Sequence, residues 1–146
     1  MYMKNKFFNL KKGIIYYFSG TGNTAYIISK YIDFFKNKDI KIDLKKIETI
    51  KSNISLRDYD FLIIAFPVYA FSAPEIVSNF VQNLPKTNKK KAIVISNAAG
   101  FNGSSFFKKR KILNKKNYDV ISNFYYYMPE NTSGIFSKDK EPKKDI

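Results

Sequence analysis

The chain has 146 residues, 45% of them hydrophobic, which fits one domain built on one core. Its 26 basic and 12 acidic residues give a net charge of +14, a field that favours anionic partners, although lysine filling the solvated faces is the more economical account. With no Cys and no His, disulfides, thiol catalysis, iron–sulfur ligation, the usual zinc sites and Ser-His-Asp catalysis are excluded.

The start, MYMKNKFFNLKKGIIYYF, is basic and then apolar, but Asn9 and Lys11-Lys12 interrupt it before a signal-peptide core can form. No run approaches membrane-spanning length, so the expectation is a soluble, cytoplasmic chain. Residues 12–18 read as a buried strand, short and β-branched or aromatic. From Thr24 the period changes: Ile27, Ile28, Tyr31, Ile32 and Phe35 recur at helical spacing, and Asn37-Lys38 end the pattern. IKIDL (40–44) alternates, as an edge strand does. The connection IETIKSNISLRD (47–58) fits either a short helix or an irregular crossover.

YDFLIIAF (59–66) is nearly continuous in its apolar character, the mark of a central parallel strand, and Pro67 stops it. The loop PVYAFSAP (67–74) leads to a helix with Pro74 in its first turn and Ile76, Val77, Phe80, Val81 and Leu84 on its apolar face. KAIVIS (91–96) is another buried strand, NAAGFNG (97–103) a loop, and 104–117 a weaker helix with KKRK beside its apolar side. DVISNFYYYM (119–128) is the last strand. Strands alternating with helices predict an α/β fold with a parallel, doubly wound sheet. Residues 1–132 form one domain in this reading, and the charged stretch 133–146 a disordered tail.

The most informative stretch is FSGTGNT (18–24). A strand that ends in a glycine-rich turn and opens a helix presents unpaired N–H groups and the positive end of the helix dipole to an anion. A triphosphate loop needs a lysine after the glycines, and none follows. The dinucleotide fingerprint is met only in its G/A form, with Asp43 as the acidic residue near the end of the second strand; it stays open. Three hydroxyls, on Ser19, Thr21 and Thr24, better suit a terminal phosphate monoester. The plain alternative is a turn capped by Ser19 or Thr24 with no ligand.

Ser19-Gly20-Thr21-Gly22-Asn23-Thr24 resembles the flavodoxin phosphate loop at every defined position. The chain looks closest to the flavodoxin-like half of the flavodoxin–ferredoxin fusion proteins of anaerobic bacteria, through YYFSGTGNT, FPVYAFSAPEIVSNFV, NAAGFNG and YYYMPEN, over residues 12 to about 132. The resemblance implies a flavodoxin-like three-layer α/β/α sandwich, its five strands ordered 2-1-3-4-5, with FMN as cofactor. It implies that Ser19, Gly20, Thr21, Gly22, Asn23 and Thr24 hold the FMN phosphate. Pro67, Val68, Tyr69, Ala70 and Phe71 would then flank one face of the flavin ring, and Asn97, Ala98, Ala99, Gly100 and Phe101 the other. Tyr69, Phe71 and Phe101 are the stacking candidates.

Three features depart from that pattern. Flavodoxins are typically acidic and this chain is strongly basic. With no cysteine it carries no cluster-binding half, so its electrons must pass to a separate redox partner such as a ferredoxin or a flavin reductase. No segment after Met128 has the pattern of a closing helix, as in a truncated or split fusion. One sheet face is then expected to be an apolar patch open to a homodimer or another partner. The leading expectation is an FMN-binding electron carrier. The alternatives are an FMN-dependent reductase of a small molecule such as a quinone, and a degenerate module docking a polyanion through KKRKILNKK (108–116), with nucleic acid disfavoured because the aromatics lie in strands.

Overall fold

Apolar runs that are continuous rather than alternating need cover on both faces. The computed structural model, which describes residues 9–69, 72–98, 105–128 and 143–145, supplies that cover from helices. β1 (Lys12–Tyr17), β2 (Lys41–Lys46), β3 (Phe61–Pro67), β4 (Lys90–Ala98) and β5 (Tyr118–Tyr127) run parallel in the order β2-β1-β3-β4-β5. This is the order that the resemblance implies. β6 (Lys143–Asp145) adds antiparallel to Tyr125–Tyr127 at the far edge. That triplet lies within the stretch expected to be a disordered tail.

The pleat divides each strand between two cores. Ile15, Phe61, Ile63, Ala65, Ile93 and Ile95 point towards α1 (Asn23–Lys36) and meet Ile27, Ile28, Tyr31 and Phe35. Leu62, Ile64, Phe66 and Val94 point the other way, towards α2 (Glu75–Gln82) and α3 (Ser105–Lys115), and meet Val77, Phe80, Val81 and Leu113. All seven residues of β3 are buried, as its uninterrupted apolar run requires. β2 is mostly exposed, as its alternation predicts for an edge.

The segment 47–58 combines both readings left open: a 3-10 turn at Ile47–Thr49 and then irregular chain. Side chains pin its return to the sheet. The Asp60 carboxylate accepts the backbone N–H groups of Lys11 (2.8 Å) and Lys12 (2.9 Å), which hold its pKa below the usual carboxylate value. The Lys90 ammonium donates to the carbonyls of Leu56 (3.0 Å) and Tyr59. The Tyr59 hydroxyl donates to Asp43 at 2.5 Å, and desolvation, reinforced by that bond, pushes its pKa up to about 12.

Two boundaries differ from expectation at the end of the sheet that matters for function. Pro67 is the last residue of β3 rather than the first of a loop, tolerable because a strand's final residue need not donate to the ladder. Asn97 and Ala98 are the last residues of β4, paired with Tyr126 and Tyr127, so the loop begins two residues later than predicted. The α1 face also differs from the open apolar patch expected. Ile93 and Ile95 are fully buried, Ile121 and Phe124 are half-buried, and the exposed large apolar residues among those described (Leu44, Tyr69, Ile76, Tyr127) are scattered. Among the described residues no helix follows β5, and none is long and apolar enough to cross a membrane.

One lysine breaks the rule that charge stays wet. Lys109 of α3 is 4% exposed and donates to Ser78 of α2 at 2.8 Å. Burial, and secondarily the charge of Lys108, pull its pKa down. The folded chain therefore binds this proton less tightly than the unfolded chain, and stability rises as pH climbs towards the ordinary lysine value of 10.5. Lys109→Met should raise stability at pH 7 by about 1 kcal/mol and flatten that rise, read as urea midpoints at pH 7 and pH 10.

Candidate phosphate and ring-binding site

The order 2-1-3-4-5 reverses between β1 and β3, and a crevice opens beyond the carboxyl ends of the strands at such a point. The predicted stretches exit there. Phe18, directly after β1, donates its N–H to the Ala65 carbonyl of β3 (3.0 Å), so the chain leaves the sheet only at Ser19. Gly22 then adopts φ 92°, a left-handed conformation that a β-carbon opposes, and its carbonyl accepts the Tyr26 N–H (3.0 Å) as α1 begins. Gly20, Thr21 and Gly22 are exposed, and the first turn of α1 holds no acidic residue.

The three hydroxyls of this loop divide into different tasks. Ser19 Oγ accepts the Ala25 N–H at 3.3 Å, reaching past Gly22 to cap the helix from outside. Thr21 is exposed and free to face a ligand. Thr24 turns inward: it is 1% exposed and donates its hydroxyl proton to Asn97 Oδ1 at 2.6 Å. Sequence reasoning missed this bond, because its two ends lie 73 residues apart.

The other two loops start from fixed points. Pro67 and Val68 are buried, and the Val68 N–H donates to the Asn97 carbonyl (2.8 Å). Tyr69 and Ser72 exchange two backbone hydrogen bonds of 2.9 Å, and Tyr69 is 46% exposed. Its hydroxyl lies over Gly20, 2.6 Å from where a β-carbon would stand. Asn97 and Ala98 are buried at the end of β4, and the Met128 N–H donates to the Ala98 carbonyl (2.9 Å). Ala70, Phe71, Ala99, Gly100 and Phe101 lie outside the described residues.

Beneath this site a second polar pair ties α1 to the sheet. The Tyr31 and Tyr126 hydroxyls share a short hydrogen bond, with the rings edge-on and centroids 6.2 Å apart. Burial raises the pKa of both, so both remain neutral phenols. An open cavity of about 470 Å³ between residues 47–54 and α2 draws none of its lining from the predicted site. No cluster of three potential metal-ligating side chains occurs among the described residues.

The arrangement can therefore hold a phosphate. The exposed residues Gly20–Gly22 lead directly into the first N–H groups of α1, which have no intrahelical partner, and the first turn holds no acidic residue to oppose an anion. Residues 14–118 match the family model described as Flavodoxin domain. No protein of curated function matches the chain. The fold is similar to that of the two-electron reduced flavodoxin of Megasphaera elsdenii, with 19% identity, TM-score 0.70, 77% of this chain and 84% of that chain covered. It is similar to flavodoxin 2 of Bacillus cereus at 18% identity and TM-score 0.70, over 81% of this chain and 85% of that one. The rubredoxin oxygen:oxidoreductase of Desulfovibrio gigas matches at 13% identity and TM-score 0.69, over 88% of this chain but only 34% of that longer chain.

Proposed function

The chain belongs to the flavodoxin domain family, and on that footing we propose that it is an FMN-dependent electron carrier passing electrons between redox proteins of the cytoplasm. The observation that carries the reading is the left-handed turn at Gly22, at the end of the sheet where β1, β3 and β4 exit side by side, with Gly20, Thr21 and Gly22 exposed and no acidic residue in the first turn of α1. Thr21, the N–H groups of Asn23 and Thr24, and the Ser19 hydroxyl would hold the dianionic phosphate. Tyr69 would cover one side of the ring, and the loop after Ala98 the other. The bound flavin supplies the redox chemistry; the protein sets its orientation, access to water and potential.

The partner would be a redox protein such as a ferredoxin or a flavin reductase, since these 146 residues themselves hold no cysteine for an iron–sulfur cluster. The net charge of +14 bears on both partner and potential. A positive field favours a reduced flavin carrying negative charge. The lower potential of the loaded protein should thus be less negative than that of an acidic flavodoxin, and should fall as salt screens the field. Redox titration at low and high salt checks this; a strongly negative value indifferent to salt would refute it. Transfer itself is tested anaerobically: a reduced ferredoxin should reduce the FMN-loaded chain, which should then reduce a soluble one-electron acceptor. Failure of transfer, with turnover of a quinone by a nicotinamide donor instead, would contradict the carrier assignment.

A further inference from the structure

Asn97 is where the three loops of the site are tied together. Its side-chain oxygen accepts the Thr24 hydroxyl of the phosphate loop at 2.6 Å. Its backbone carbonyl accepts the Val68 N–H at 2.8 Å, fixing the start of the Tyr69 loop. It is the penultimate residue of β4, the strand that precedes the third loop. Both ends of the side-chain bond are nearly closed to water, Thr24 at 1% and Asn97 at 4% exposed. Water cannot replace either partner there, so removing one leaves the other buried and unpaired.

A hydroxyl has a single proton to donate. In this structure Thr24 gives it to Asn97. The bond fixes the first turn of α1 from behind. We propose that Asn97 is a positioning residue for the cofactor: through Thr24 it holds the first turn of α1 in the orientation that receives the phosphate, without touching the phosphate itself. The inference rests on the FMN reading above and assigns the pair Asn97–Thr24 a role specific to the phosphate end of the ligand.

The experiment compares FMN with riboflavin, which lacks the phosphate, by fluorescence titration of the full chain well below its unfolding temperature. Asn97→Ala should weaken FMN about 10-fold and riboflavin less than 2-fold, because only the phosphate reads the orientation of that turn. Thr24→Val keeps the shape without the hydroxyl and should do the same; it carries the test if Asn97→Ala does not fold. The double variant should lose little more than either single one, as expected of two residues acting as a unit. Thr24→Ser, which keeps the hydroxyl, should recover FMN affinity to within about 3-fold of the parent chain. Equal losses for FMN and riboflavin, an unchanged FMN-to-riboflavin ratio, or additive losses would overturn the proposal. A parent chain with no preference for FMN would instead overturn the underlying phosphate reading, which distinguishes the two failures.

Discussion

Gly13→Ala is expected to cost about 3 kcal/mol of stability, although it adds one methyl group to a strand. A β-carbon at Gly13 would stand 2.3 Å from Cζ of Phe61, and 2.6 and 2.7 Å from its ε carbons. Gly13 and Phe61 are register partners on β1 and β3, so the ring lies across the space the glycine leaves. That ring has nowhere to go: it is 0% exposed and packs against Phe35, with centroids 5.3 Å apart. Urea unfolding should show the midpoint falling with little change in slope. Repeating the substitution in a Phe61→Leu background should cost clearly less, because the obstructing ring is gone; additive costs would contradict the steric explanation.

Gly20→Val is expected to do the opposite, sparing the fold and removing function. Its β-carbon would also meet an aromatic residue, the Tyr69 hydroxyl at 2.6 Å. Here the obstacle is the far end of a half-exposed side chain that can swing aside. Stability should change by no more than about 0.5 kcal/mol. The branched side chain would however project from the backbone that a phosphate must approach closely. FMN affinity should fall about 100-fold, roughly 2.8 kcal/mol, while the thermal midpoint of the empty protein stays near that of the parent. Retained FMN affinity would place the phosphate elsewhere. The two glycines thus separate the fold from the site: the same missing β-carbon faces a locked ring in one case and a movable one in the other.

Much of this was readable in advance, and the parts that were not share a cause. Continuous runs such as YDFLIIAF announce strands covered on both sides, and Ile27, Ile28, Tyr31 and Phe35 repeat with the helix period, so local pattern and global burial agree. FSGTGNT was recognisable because phosphate binding depends on adjacent residues. The Thr24–Asn97 bond was not, since its partners are brought together only by closure of the sheet. Asn97 read as a loop residue because its amide has low strand propensity, yet a buried partner for that amide keeps it in β4. Segment 47–58 has no period, and what pins it comes from elsewhere: Lys90 holds its carbonyls and Asp43 holds Tyr59. Lys109 resembled its exposed neighbours in KKRK until packing set it against Ser78. The triplet KKD at 143–145 carries no strand signal, and its pairing with Tyr125–Tyr127 is set by the open edge of β5.

The central claim is that the turn Ser19–Thr24 receives the phosphate of FMN. Titrating FMN and riboflavin separately with the purified chain, and following flavin fluorescence and the visible spectrum, tests it most directly. The account predicts quenching by FMN at micromolar protein or below, and at least about 10-fold weaker binding of riboflavin, the discrimination expected when a phosphate site is left empty. Absence of quenching at micromolar protein, or equal affinity for the two flavins, would contradict it.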